Sequence, residues 1–171
     1  MAKADLTIAE NNGVSTIRVF GRANFECGMP LRSFAKNLSP ACAGIVIDMA
    51  ECESMDSTFM GLLTMLSMRA QKINLPLEVM NASDYCRALL RGLGVEKRFK
   101  FVMSASAVGG GDNGVSVTGN ANSDQLGAAE AVVEAHQTLM DVSLDNIAKF
   151  EKVVEFAQSD LDRLKKEAEK H

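Results

Sequence analysis

The sequence predicts a mixed α/β domain with helices packed on one face of its sheet, followed by a flexible linker and a C-terminal long helix or helical hairpin. A short apolar run with β-branched residues, Ile45–Met49, is typical of a strand that is covered on both faces. Residues 104–124 are rich in Gly, Ser and Asn and lack an amphipathic period, which predicts the linker. Residues 1–103 therefore form the predicted domain, and residues 125–171 form the predicted helical segment.

Helical periodicity follows the predicted strand Ile45–Met49. Residues 50–55 predict a connection, and from Thr58 onward apolar residues recur at helical spacing. These residues are Phe59, Leu62, Leu63, Leu66 and Ala70. The helices predicted in the domain are Met29–Asn37, Ser57–Ile73 and Ser83–Leu90, with strands between them.

Polar groups cluster at the point where this helix begins. Either the Asp56 carboxylate or the Ser57 hydroxyl can accept a hydrogen bond from a free amide of the first turn. Such a bond stabilises a helix by about 1 kcal/mol. In the simplest interpretation, the cluster is only a helix cap.

Phosphorylation of Ser57 is the alternative interpretation of the same cluster. A phosphate adds roughly −1.5 to −2 charges where the helix amides point outward. The helix macrodipole favours this charge by roughly 0.3 to 1 kcal/mol, and the Asp56 carboxylate opposes it. The fold would hardly change, but a bound partner would have to desolvate a dianion, so that modification is expected to dissociate a complex.

Several segments of the chain resemble the STAS domain, a family named for sulfate transporters and anti-sigma factor antagonists. The most specific element is Met55–Thr58 with Gly61, an Asp-Ser-Thr motif between a strand and a Leu-rich helix. Val14–Gly21 resembles the early strand of the family and Pro76–Asn81 its fourth strand. Ser83–Phe101 resembles its last helix, Gly-containing turn and closing strand. The resemblance covers about residues 4–103.

The resemblance implies a regulatory protein of the anti-sigma factor antagonist kind, with no enzymatic activity. Such proteins bind a serine kinase that acts as an anti-sigma factor, are phosphorylated by it, and are reset by a PP2C-type phosphatase. Ser57 matches the phosphorylated position, and Thr58 is the second choice. Asn24 matches a position where the family often places an Asp. Phe59-Met60 departs from the common Gly-Leu and is expected to widen or fill the partner surface.

The partner-binding surface implied by the resemblance has six residues. They are Asn24, Asp56, Ser57, Thr58, Phe59 and Met60. A different class of function stays open, in which the domain is a structural subunit of a larger assembly, such as a lipid-transport complex or signalling platform. In that case Ser57 is only a helix cap.

Charge and hydropathy argue against several classes of partner. The 171 residues include 18 Lys and Arg against 22 Asp and Glu, a net charge of −4, and no basic stripe, which disfavours nucleic-acid binding. The N-terminus has no apolar core of signal-peptide length, and no segment reaches the length of a membrane span. These features predict a cytoplasmic protein without a membrane span.

Catalytic and metal sites are not predicted. The four cysteines are widely spaced and form no C-x-x-C pair, so that we expect small, partly buried thiols and no metal. No phosphate-binding Gly loop precedes a helix. Both histidines, His136 and His171, lie outside the predicted domain, which leaves no Ser-His-carboxylate set. We expect no cofactor and no catalytic residue.

The C-terminal segment carries a heptad seam, with His136 and Ser143 at two of its positions. Capping residues over Asp141–Asp145 predict a break that would fold the segment into a hairpin. The seam either packs against its own domain or joins two chains, and the linker favours the second arrangement. The residues predicted for oligomerisation are Val133, Met140, Ile147, Phe150, Val154 and Leu161.

Overall fold

The structure, a computed structural model, describes residues 4–103, 115–116 and 125–170. Its strands are β1 (Asp5–Asn11), β2 (Val14–Ala23), β3 (Gly44–Met55), β4 (Leu77–Met80), β5 (Lys100–Val102) and β6 (Val115–Ser116). Its helices are α1 (Phe25–Lys36), α2 (Ser57–Lys72), α3 (Asp84–Gly92), α4 (Gln125–Val142) and α5 (Asp145–Glu169). Three of these helices match the ones predicted in the domain, although α1 begins four residues earlier than expected.

The strands form one mixed sheet in the order β5-β4-β3-β2-β1-β6. β2, β3, β4 and β5 run parallel, and β1 pairs antiparallel with β2 and with β6. A tight turn joins β1 to β2, where Asn12 and Gly13 take φ angles of 53° and 82°. Positive φ at both central residues matches the right-handed twist of a hairpin. The predicted mixed α/β fold is confirmed.

The main core lies between the sheet and its helices. Alternate residues of β3 point to this side, and Ile45, Ile47 and Met49 are almost completely buried there. The residues between them point to the other side of the sheet, where Asp48 pairs with Arg18 at 3.9 Å. Lys100 lies 3.6 Å from Glu78 in a second ion pair. One face of the sheet therefore carries the hydrophobic core, and the opposite face carries charged pairs.

Strand β3 extends further than expected. Residues 50–55 were predicted as a connection, but they continue the strand to Met55 and pair with the end of β2. This prediction was wrong because the pairing passes through two register shifts, between Arg18 and Phe20 and between Gly21 and Arg22. Gly21 has a φ of 68°, which suits the bulge. The extension carries the chain directly to Asp56.

Part of the predicted linker belongs to the sheet. β6 lies within residues 104–124 and pairs with β1, with Thr7 opposite Ser116. The rest of this stretch lies outside the described residues, so its predicted flexibility stays a prediction. The division into domain, linker and helical segment at residues 103 and 124 also stays a prediction.

The C-terminal segment is a helical hairpin that turns at Ser143–Leu144, within the predicted break, although the N-cap of α5 is Leu144 and makes no side-chain capping bond. The turn also completes the end of α3. The Asn146 side-chain amide donates to the carbonyls of Leu93 and Leu139 at 2.8 Å each, and Lys149 donates to the carbonyl of Gly92 at 2.8 Å. The last carbonyls of a helix lack partners within the helix, and a cation there also suits the helix dipole. The hairpin is therefore tied to the sheet domain at its turn.

Helix α4 packs on α2 and α1 of its own chain. Ala135 and Leu139 are completely buried in the same core cluster as the sheet residues. The preferred expectation, that the seam faces another chain, is corrected for α4, because its apolar side is buried within the chain. Oligomerisation through the predicted residues stays a prediction. Of these, Val133 and Leu161 are buried, Met140, Phe150 and Val154 are partly buried, and Ile147 is exposed.

The packing of α4 predicts unequal costs for two Leu→Ala changes in the hairpin. Leu139 is fully buried and Leu144 is 83% exposed. We expect Leu139→Ala to lower the free energy of unfolding by about 2 to 4 kcal/mol and Leu144→Ala by less than about 0.5 kcal/mol. Urea denaturation of the two variants measures the difference. Equal, small losses would show that α4 does not pack on the domain.

Candidate functional site

The candidate site lies where two parallel strands end side by side. β2 and β3 pair up to Ala23 and Met55, which are opposite each other. The next residues, Asn24 and Asp56, are the N-caps of α1 and α2. The Asp56 amide also donates to the carbonyl of Ala23 at 2.9 Å. The strand pairing therefore brings the N-termini of both helices to one edge of the sheet.

Asp56 is the residue that caps α2. Its Oδ1 accepts from the amide of Phe59 at 2.8 Å, while Ser57 is the first residue of the helix. This arrangement resolves the choice between the two side chains that the sequence left open. A cap of this kind stabilises the helix by about 1 kcal/mol. Because the carboxylate supplies the cap, the Ser57 hydroxyl is available for another contact.

Asn24 has the corresponding role at α1. Its Oδ1 accepts from the backbone amide of Cys27 at 3.1 Å, and the backbone amide of Asn24 donates to the Cys27 thiol at 3.3 Å. The side chain is partly exposed. A neutral Asn caps a helix as well as an Asp does, so the departure from the family's Asp retains the capping bond.

His136 of α4 contacts Ser57. Its Nε2 lies 2.9 Å from the Ser57 Oγ, and its Nδ1 lies 2.7 Å from the carbonyl oxygen of Val132. A carbonyl only accepts, so Nδ1 carries the proton and, in the neutral ring, the Ser57 hydroxyl donates to Nε2. The imidazole is 3% exposed and meets the Phe150 ring edge-on at 5.0 Å. Both helices of the hairpin thus hold the ring over Ser57.

The Ser57–His136 contact corrects the expectation that no histidine reaches the domain. The separation in sequence had removed His136 from consideration, but the hairpin returns it to the start of α2. A Ser–His pair also occurs in hydrolases, where a carboxylate orients the imidazole. Here the Val132 carbonyl accepts from Nδ1 in its place. The sequence signal for this residue was a polar side chain within an apolar heptad seam.

Gly61 of the motif allows α4 to approach α2. A Cβ atom built on Gly61 would clash with the carbonyl oxygen of Ala135, and all three of its nearest atoms belong to that residue. Backbone cannot yield as a flexible side chain can, so any larger residue at this position requires α4 to move. The motif glycine is therefore a contact point for the hairpin.

Ion pairs join α1 to α4 beside this contact. Arg32 donates from Nε to Glu134 at 2.9 Å and from Nη2 to Glu130 at 3.1 Å, and Lys36 donates to Glu134 at 3.1 Å. The Arg32 side chain is only 11% exposed. Burial disfavours the charged form of Glu134, but hydrogen bonds from Arg32 and Lys36 outweigh it and hold the pKa of this carboxyl below its ordinary value.

The six residues predicted for the partner surface differ in exposure. Asn24, Asp56 and Ser57 reach the surface at least in part, and Thr58 and Met60 are buried. Phe59 is completely buried in the main core, so its expected place on the partner surface was wrong. The reason is helical geometry, since Phe59 begins the stripe that continues through Leu62 and Leu66 to the sheet.

The cysteines occupy the interior, as small thiols do. Cys27, Cys52 and Cys86 are buried, Cys42 is partly exposed, and all four are free. Burial raises the pKa of the Cys27 thiol to about 11. The described residues contain no group of three or more His, Cys, Asp or Glu side chains that could hold a metal ion.

Sequence comparison identifies the family. The family model described as Mlab, STAS domain, matches residues 6–104, which is more than half of the chain. The chain therefore belongs to the STAS domain family, and the predicted resemblance is confirmed. No curated protein matches the sequence significantly.

Similar solved structures include two of SpoIIAA. The anti-sigma factor antagonist SpoIIAA in its unphosphorylated form is 16% identical with a TM-score of 0.49, over 60% of this chain and 90% of that one. The Bacillus cell fate determinant SpoIIAA in the phosphorylated form has the same identity and TM-score, over 58% and 92%. SLC26A9 is 13% identical with a TM-score of 0.41, over 56% and 21%. At identities this low, the likeness concerns the fold alone.

Among the helices of the described residues, none has the length and apolar character that crossing a membrane requires.

The lowered pKa of Glu134 predicts a pH-dependent contribution to stability. A carboxylate whose pKa is depressed by folding stabilises the protein above its unfolded pKa, and this stability is lost as the pH falls through the folded value. We expect Glu134→Gln to cost about 1 to 2 kcal/mol of unfolding free energy near pH 7 and progressively less as the pH falls below 4.5, the ordinary pKa of the carboxyl. Denaturation across this range measures the loss.

A matched change in α5 serves as the control for this pH series. Glu155 is exposed, and we expect Glu155→Gln to change stability by less than about 0.5 kcal/mol at every pH. A cost for Glu134→Gln that stays constant with pH would contradict the ion-pair explanation.

Proposed function

We propose that this protein is a phosphorylation-controlled protein-binding switch of the anti-sigma factor antagonist kind. Unphosphorylated, it captures an anti-sigma factor that is a serine kinase, and phosphorylation of Ser57 releases that partner. A PP2C-type phosphatase then restores the hydroxyl. The observation that carries the proposal is the geometry of α2, where Asp56 supplies the cap and leaves the Ser57 hydroxyl at the first helical position.

The electrostatics of this position support a reversible modification. A phosphate on Ser57 would lie at the N-terminus of a 16-residue helix, where free amides and the macrodipole favour negative charge. The Asp56 carboxylate next to it would oppose the charge. A near balance leaves helix α2 intact while the surface gains roughly −1.5 to −2 charges. A partner that packs on an uncharged hydroxyl would lose that contact.

The protein acts here as a substrate and a binding module, with no chemistry of its own. The imidazole beside Ser57 is oriented by a backbone carbonyl, not by a carboxylate. We therefore assign catalysis to the kinase and phosphatase partners.

A structural role is the second candidate, and a specific contact favours it. The Ser57 hydroxyl is bonded to His136 beneath α4, so that it holds the hairpin in place in this structure. In this alternative, the domain and its hairpin form a subunit of a larger protein assembly, and Ser57 is never phosphorylated.

Three full-length variants distinguish the two candidates. We expect Ser57→Ala to retain a serine kinase in pull-downs from the native cells, and Ser57→Asp to recover it at least about tenfold less, which corresponds to about 1.4 kcal/mol. Ser159 is exposed on α5, so Ser159→Asp adds the same charge away from the site and should retain the kinase. Quantitative mass spectrometry of the recovered proteins measures all three.

Phosphopeptide mapping of the untagged protein completes the test. Absence of phosphate on Ser57 across growth and stress conditions, together with equal recovery by all three variants, would reject the switch and favour the structural subunit.

A further inference from the structure

Helix α4 covers the region where the proposed partner would dock. Within two turns, Glu130 and Glu134 pair with α1, Ala135 packs on Gly61, and His136 bonds to Ser57. We define the docking face as the four residues that receive these contacts. They are Arg32, Lys36, Ser57 and Gly61.

We propose that the docking face is a helix-binding surface that α4 occupies in the free chain, and that the protein partner replaces α4 with a helix of the same chemistry. That helix carries two acidic residues one turn apart and a small residue beside the second. This inference rests on the proposed function, since it names the kind of partner that the Ser57 site receives.

The charges on the docking face select an acidic helix. Arg32 and Lys36 lie one turn apart on α1, and both bond to Glu134. Arg32 also donates to Glu130, so that its guanidinium is paired with two carboxylates, those of Glu130 and Glu134, which are at spacing i,i+4 on α4. A replacing helix without carboxylates would cover the Arg32 guanidinium, which is 11% exposed beneath α4, and leave it buried without a partner, which is costly. The replacing helix therefore supplies carboxylates.

The steric demand at Gly61 selects a small residue. The backbone of Ala135 lies against Gly61 so closely that no Cβ atom fits between α2 and α4. A helix that approaches as closely needs a residue such as Ala or Gly at this point, because a larger side chain would hold it away. The small residue follows directly after the second Glu of α4.

Because the apolar side of α4 is buried, the apolar surface beneath it must be covered again when α4 leaves. Ala135 and Leu139 are completely buried and belong to the main core cluster. Displacement without replacement would expose a contiguous apolar patch next to the core, which is unfavourable. An incoming amphipathic helix covers the same area, so the exchange costs little apolar burial.

The contact at Ser57 makes this exchange sensitive to phosphorylation. The Ser57 Oγ lies 2.9 Å from the His136 Nε2, which leaves no space for a phosphoryl group on that oxygen. Phosphate and the present position of the imidazole therefore exclude each other, and a replacing helix that places a side chain where α4 places His136 meets the same obstacle.

A peptide of residues 125–142 tests the surface without a kinase or phosphate. Full-length protein with Glu130→Lys and Glu134→Lys keeps the docking face but repels its own α4. We expect the fluorescently labelled wild-type peptide to bind this variant at least about tenfold more tightly than the wild-type chain, measured by fluorescence anisotropy. Addition of Arg32→Glu to the variant should abolish binding.

Two altered peptides test the proposed chemistry. Peptides with Glu130→Gln and Glu134→Gln together, or with Ala135→Leu, should each bind the charge-reversed variant at least about tenfold more weakly. Equal binding of either altered peptide, or of the wild-type peptide to both proteins, would overturn the inference. Because no phosphorylation is involved, this result is independent of the test of the switch.

Gly61→Ala gives a second test if the charge-reversed variant does not fold. Ala stabilises helices, and the added Cβ clashes only with Ala135 among its nearest atoms. We expect hydrogen exchange of α4 amides to accelerate at least about tenfold while that of β3 stays unchanged. Gly92→Ala is the control, since a Cβ there meets no atom within 4 Å. Unchanged exchange in α4, or parallel loss of protection in β3, would overturn the inference.

Discussion

Parallel pairing of β2 with β3 is the constraint on which the rest of the structure depends. Because both strands run in the same direction and end opposite each other at Ala23 and Met55, the two helices that follow begin side by side. Each start is capped by the residue directly after its strand. The first turns of both helices therefore meet at one edge of the sheet, and a single further helix can touch α1 and α2 at once.

The interface with α4 combines contacts of different energetic character. Burial of Leu139 and Ala135 supplies the non-directional part, at roughly 25 cal/mol per Å² of apolar surface. The Arg32 ion pairs and the Ser57–His136 bond contribute less net free energy, because each replaces bonds to water. They do, however, fix the register of α4, since a shift by one residue would turn both carboxylates away from α1. Apolar burial thus holds the helix, and polar contacts decide where it lies.

Local patterns in the sequence predicted the helices and the sheet. Long-range packing determined the length of β3 and the position of His136, which these patterns did not predict. The apolar stripe from Phe59 to Leu66 is visible in the sequence, and it indicates a buried Phe59 rather than one on a partner surface. The length of β3 depended on bulges in a neighbouring strand, which periodicity does not report. His136 lies 79 residues after Ser57 and reaches the site because the hairpin folds back onto the domain, which no local signal reports.

Gly61 shows that the position of α4 is encoded in the domain itself. A glycine inside a helix costs about 1 kcal/mol relative to alanine, so that an unoccupied helix face would be more stable with Ala at this position. The nearest atoms that a Cβ would meet all belong to Ala135. The cost of the glycine is thus offset by the approach of another backbone, and α2 is built to be covered by a closely packed helix. In the free chain that helix is α4.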